Sequence, residues 1–205
     1  RQVYRNIQLG KEEAVEGPTG DRWNNMLLVA MGQKTMFKRL IPAVLHFTLY
    51  VAFVFTQIGL VEIFIDGICG VHRFFAVPLG GLYTFIISTI EVLSVLAFIA
   101  TVIFLIRRNI LFIPRFNKPE MTGWPKLDAN LILIFELILL LCIFTMNGTD
   151  EVLQRLDPGH YPDTHLAITS WMGPIIFGGL EQGALEVLER IGWWGHIAMV
   201  FLFLN

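Results

Sequence analysis

The chain has 205 residues, of which 55% are hydrophobic and 13% aromatic, with 17 Phe and a formal net charge of −2. That is more apolar than an ordinary soluble domain, at roughly 45–50%, and so small a charge supplies no field for nucleic acid. The two cysteines, Cys69 and Cys142, lack CxxC spacing, so they cannot by themselves hold an iron–sulfur cluster or zinc, and nothing in their spacing argues for a disulfide.

The expected class is an all-α integral membrane protein without a signal peptide. The chain opens on Arg1 rather than Met and stops at Asn205 inside an apolar run, which reads as a fragment of a longer protein. Residues 1–39 are a polar segment. Gly17-Pro18-Thr19-Gly20 is a turn signal, and Asp21 is expected to cap an amphipathic helix through RWNNMLLVAMG that lies on the membrane surface. Four spans of ~20 apolar residues follow, at about 40–65, 77–106, 129–147 and 188–205. The first has no Lys or Arg, the second carries only Glu91, and the third carries only Glu136. Trp193 and Trp194 open the fourth as an aromatic belt, which would set His196 close to one membrane surface. The acidic stretch 148–190 reads as an outer loop. Its LAITSWMGPIIFGGL segment, broken by Pro174 and glycines, reads as interfacial or re-entrant, capping the outer mouth of the bundle.

The 15 basic residues sort by loop. Seven lie in residues 1–39 and five in the loop 107–126, while Arg73, Arg155 and Arg190 fall on the other side of the predicted spans. The positive-inside rule calls the rich side cytoplasmic. A multi-pass protein of the bacterial inner membrane is expected, with both chain ends on the cytoplasmic side.

Two histidines sit inside membrane-length apolar runs, His46 in LIPAVLHFTLYVAFVF and His196 in WWGHIAMVFLFLN. An ionisable group in hydrocarbon is costly and marks a functional site by default. A neutral imidazole among apolar helices suits a haem iron. His46 lies one or two turns into the first span and His196 at the outer end of the last. The two depths do not match, so one iron would not take both. His72, just past the first span, is the expected partner for His196. Gln57, which shares a face with His46, is a poor haem ligand. Bland readings stand beside these: His46 hydrogen-bonded to a neighbouring helix, His196 an interfacial anchor, His72 solvated, and His160 and His165 exposed. Glu91 and Glu136 are candidates for proton relay or quinone contact, or are buried structural acids.

The segments RWNNMLLVAMGQKTMFKR, LIPAVLHFTLYVAFVFTQIGLVEIFIDGICGVHRFF, MTGWPKLDANLIL and WWGHIAMVFLFLN resemble the membrane half of bacterial fused (Fe–S)-binding oxidoreductases related to heterodisulfide reductase. That membrane half is similar to the cytochrome b (gamma) subunit of respiratory nitrate reductase. The resemblance implies a haem-binding bundle of five spans, the first preceding Arg1, followed by a cytoplasmic iron–sulfur domain absent from this chain. It implies one or two haems b, with His46 and His196 as ligands and His72 added from the reading above. Here Gln57 stands at roughly the second histidine position of the equivalent span. It further implies electron transfer between the iron–sulfur domain and menaquinone or ubiquinone. Electron-transfer flavoprotein or a larger membrane complex are the implied further partners. The competing expectations are a cofactor-free anchor that docks an iron–sulfur domain or larger complex, and a transporter using Glu91 and Glu136. The second lacks support from any inverted repeat.

Overall fold

Every regular element is helical among the residues described, 2–10, 17–34 and 36–204 of a computed structural model. Arg1 and Lys11, which count toward the charge asymmetry, lie outside the described residues. The chain divides into two compact units, Arg1–Val44 and Leu45–Asn205.

In the first unit, α1 covers Gln2–Ile7 and α2 covers Thr19–Met26, the latter continuing as a π-helical turn, Leu27–Met31. Pro18 holds the N-cap position in extended backbone. The helix therefore starts two residues ahead of the expected cap. Asp21 lies in its first turn, where a carboxylate complements the helix dipole. Trp23, Met26, Leu27, Leu28 and Met31 are exposed.

The second unit contains most of α3 (Leu40–Cys69), then α4 (Ala76–Leu79), α5 (Gly81–Asn109), α6 (Trp124–Leu156), α7 (Thr169–Phe177) and α8 (Gln182–Phe203). Three helices, α3, α5 and α6, are long and apolar enough to cross a membrane. Their 29–33 residues correspond to about 45 Å at ~1.5 Å per residue, more than the ~30 Å of a hydrocarbon core. Four spans were expected. α8 falls short because its first half carries Glu186, Glu189 and Arg190. Phe53, Val54, Phe85, Leu96, Ile99, Ile132 and Leu141 are exposed on the long helices, as apolar solvent would have them.

Two boundaries differ from the sequence reading. The second apolar run breaks at Gly80, whose φ of +51° splits α4 from α5. The third continues past residue 147 to Leu156. The added turns bury a polar stripe, Asn147, Asp150, Glu151 and Gln154, at helical spacing on one face.

Helix α6 is central and packs against α5, α7 and α8. Ala52, Ala97 and Leu140 form a core where α3, α5 and α6 meet. α8 reaches α6 through Gly192, where an added Cβ would stand 2.8 Å from the Cys142 carbonyl oxygen and the Met146 nitrogen. Small residues allow this backbone approach. Gly192→Val is expected to force the two helices apart and destabilise the bundle by about 1–3 kcal/mol. An SDS titration against the parent protein checks it; unchanged stability would mean that the crossing is not close.

Candidate functional site

A cavity of about 430 Å³ lies between α3, α5, α6 and α8. Its wall is mostly apolar, with Phe53, Leu60, Phe64, Leu140 and Phe203 prominent, and its polar members are Thr56, Gln57, Glu136 and His196. The hydroxyl of Thr56 and the amide of Gln57 both donate to the Phe53 carbonyl, at 2.9 and 3.1 Å, which is an arrangement internal to α3. His196 is different. Its residue is 6% exposed and its Nδ1 has no hydrogen-bond partner among the described residues. An unpaired buried polar atom costs ~1–3 kcal/mol and calls for an explanation; Ser94 Oγ and Arg108 Nε are unpaired among the described residues as well, but His196 is the one that lines this cavity. Glu136 likewise makes no hydrogen bond or ion pair among the described residues.

A second polar region lies at the end of the bundle that carries the α3–α4 turn. Asp66 closes that turn by accepting the backbone N–H groups of Arg73 and Phe74, each at 2.9 Å. Arg73 sits at φ +52°, a conformation a side chain pays to adopt, and its guanidinium explains the retention. Nε donates to Asp150 at 2.5 Å, Nη1 to the Tyr83 hydroxyl at 3.0 Å, and Nη2 to the Asn147 carbonyl oxygen at 3.1 Å. Burial works against the Arg73 charge, but facing Asp150 and Tyr83 it is held well above its ordinary pKa. Tyr83 donates to Glu62 at 2.8 Å, and the other Glu62 oxygen accepts the Phe75 N–H at 3.0 Å. Asn147 carries the network on to Glu91 at 3.2 Å. Such a network stiffens a fold when every member is satisfied and is costly when it is not.

Glu91 is fully buried. Its carboxylate accepts from the Ile168 and Thr169 backbone N–H groups at 2.9 and 3.2 Å, and from the Thr169 hydroxyl at 2.5 Å. With Asn147 that makes four donors. They anchor the N-terminus of α7. Glu91 is not among the residues lining the His196 cavity, whereas Glu136 is.

The remaining histidines lie elsewhere. His72 stands 2.9 Å from Asp150 through Nε2 and packs edge-on against Tyr161 at 4.9 Å. It lines a mouth of about 250 Å³ with Glu62, Arg73, Glu189 and Trp193, apart from the His196 cavity. His46 is exposed and is ten residues from Thr56 on α3, about 15 Å along the axis. His196 itself lies level with the middle of α3 and α6, at Thr56 and Leu140, rather than near the rim. The reason is that α8 begins at Gln182, so that residues before the tryptophan pair are helix and not loop. Cys69 and Cys142 are both free thiols.

The sequence reading missed Asn147, Asp150, Glu151 and Gln154 as a buried stripe. Glu151 accepts the Leu166 N–H at 2.8 Å, and Gln154 bonds Thr164 twice, at 3.0 and 3.2 Å. Their spacing of three, four and seven residues was the available signal.

Among the described residues no group of three or more His, Cys, Asp or Glu could hold a metal ion. A haem iron needs fewer, since four of its ligands come from the porphyrin. The cavity fits that requirement on one side: a single imidazole, its Nδ1 unpartnered among the described residues, in a mostly apolar wall with three phenylalanines. No family model matches the chain, and no solved structure matches it. Over 204 residues it is 24% identical to the "Probable iron-sulfur-binding oxidoreductase FadF" of Bacillus subtilis (strain 168), covering 97% of this chain and 26% of that protein. The chain is thus similar along nearly its whole length to about a quarter of an iron–sulfur-binding oxidoreductase, and three of its helices are apolar enough to cross a membrane.

Proposed function

We propose that the chain is the membrane part of an electron-transferring oxidoreductase, carrying electrons between an iron–sulfur domain or subunit and the quinone pool. The observation that carries the reading is the buried, unpartnered His196 imidazole at the wall of the cavity between α3, α5, α6 and α8. The similarity to an iron–sulfur-binding oxidoreductase supports the same class. α8 is the fourth span in this reading. The basic loops support a topology with both chain ends and 107–126 on the cytoplasmic side of a bacterial inner membrane, where an iron–sulfur partner, electron-transfer flavoprotein or a larger complex would dock.

A haem b bound there would supply a one-electron carrier. His196 would hold its iron from α8. In the mostly apolar wall, Phe53, Phe64 and Phe203 give flat packing surfaces. Glu136 is the carboxylate proposed to meet menaquinone or ubiquinone and handle its proton; the saturated contacts of Glu91 suit a positioning role. His46 is proposed for a second haem outside this cavity, and His72, bonded to Asp150, belongs to the mouth rather than beside His196.

His196→Leu is expected to abolish a b-type reduced-minus-oxidised signal while the protein keeps its fold, and Glu136→Gln to retain it. A pyridine haemochrome on the purified protein gives the stoichiometry. No b-type signal in folded parent protein would replace this reading with a cofactor-free anchor for an iron–sulfur partner.

A further inference from the structure

We infer that a hydrated passage runs from the mouth beside His72 to the His196 cavity, conducting water and the protons it carries. A cavity of about 50 Å³ stands between the two, lined by Thr56, Gly59, Glu62, Arg73, Asn147 and His196 among others. It shares Glu62, Ile63, Arg73 and Met146 with the mouth. It shares Thr56, Leu60 and His196 with the larger cavity. The three spaces therefore meet wall to wall along α3.

The middle space has the two properties that buried water requires. It exceeds the ~30 Å³ a water occupies in the liquid, and it offers more than the two to four polar partners a water uses. Those partners are fixed. Tyr83 and the Phe75 N–H hold Glu62, while Asp150 and Tyr83 hold Arg73. Asn147 spans Arg73 and Glu91. At the inner end the Nδ1 of His196 is without a partner in the protein. The middle wall is mixed: Ile63, Ile87, Ile90, Ile143 and Met146 stand beside Glu62, Arg73, Asn147 and His196, and past His196 Phe64, Leu140 and Phe203 share the wall with Gln57 and Glu136. Water entering at the mouth would thus reach His196. The use of the passage rests on the function proposed above: reducing a quinone consumes protons as well as electrons, and the reverse reaction releases them. The existence of the passage does not rest on it.

The test uses single cysteines in a Cys69→Ser, Cys142→Ala background of the full-length protein in native membrane vesicles. Gly59→Cys is the main probe, because a Cβ there meets nothing within 4 Å. Ile63→Cys, on the wall shared by mouth and middle cavity, is the second. Val71→Cys reports the mouth and Val54→Cys the apolar outer face of α3. Silver ion is the probe, being small, impermeant and reactive only with a hydrated thiol that can ionise. Exposure to Ag⁺ from the side that blocks Val71→Cys, before denaturation in SDS, is expected to abolish maleimide labelling of Gly59→Cys and Ile63→Cys in the denatured protein. It should leave Val54→Cys fully labelled. Retained labelling at both inner positions, or blocking only from the opposite face, overturns the passage. The readout needs no haem, so a missing b-type signal with blocked labelling would fail the functional reading alone, and the converse would fail the passage alone.

Discussion

Arg73→Met is expected to destabilise the folded bundle by about 3–5 kcal/mol, the range for removing one partner of a buried ion pair. The side chain of Arg73 has three partners, on α5 and α6, and its backbone N–H ties it to Asp66 on α3. Without the guanidinium, fully buried Asp150 keeps only His72. Tyr83 and Asn147 each lose a contact as well. SDS or denaturant titration of the purified protein reads the loss. Arg73→Met combined with Asp150→Leu should recover much of it, because two apolar residues leave no unpaired charge. A loss within the ~0–1 kcal/mol of an exposed ion pair would mean that the contacts of this arginine are incidental.

Glu91→Ala should be nearly as damaging, by a different route. It strands the Asn147 amide, the Thr169 hydroxyl and the N–H groups of Ile168 and Thr169. Each unpaired buried group costs about 1–3 kcal/mol; relaxation prevents simple addition, so a total loss of roughly 3 kcal/mol or more is expected. The damage should be local first. Proteolysis is expected to cut between residues 157 and 182 in the variant and to spare that stretch in the parent. Resistance equal to the parent, together with lost electron transfer, would instead make Glu91 a participant in the chemistry.

Much of the helical frame was legible because apolar runs of spanning length have few other uses. The runs that became α3, α5 and α6 are visible as Leu40–Ile65, 77–106 and 129–147. Their ends were less legible, and for a physical reason. Asp150 and Glu151 look like solvated loop residues until their partners are known, and those partners, Arg73 and Leu166, are supplied by chain far from them in sequence. The same holds for Glu91, whose value depends on where α7 begins. Gln57 stood out by its position after His46, and it shares a cavity with His196. His72 could not be separated from a ligand on sequence alone, because its bond to Asp150 joins residues 78 positions apart.

The Arg73–Asp150 pair also bears on how the protein is made. During synthesis Arg73 emerges long before Asp150, with Tyr83 and, through it, Glu62 as the partners that earlier chain supplies. Acidic residues near the end of a membrane helix resist burial on their own. Here the earlier hairpin of α3 and α5 offers them a ready counter-charge. The pair therefore completes only after the C-terminal part of α6 has been made. A chain that ends before residue 150 would lack the carboxylate that holds Arg73 Nε.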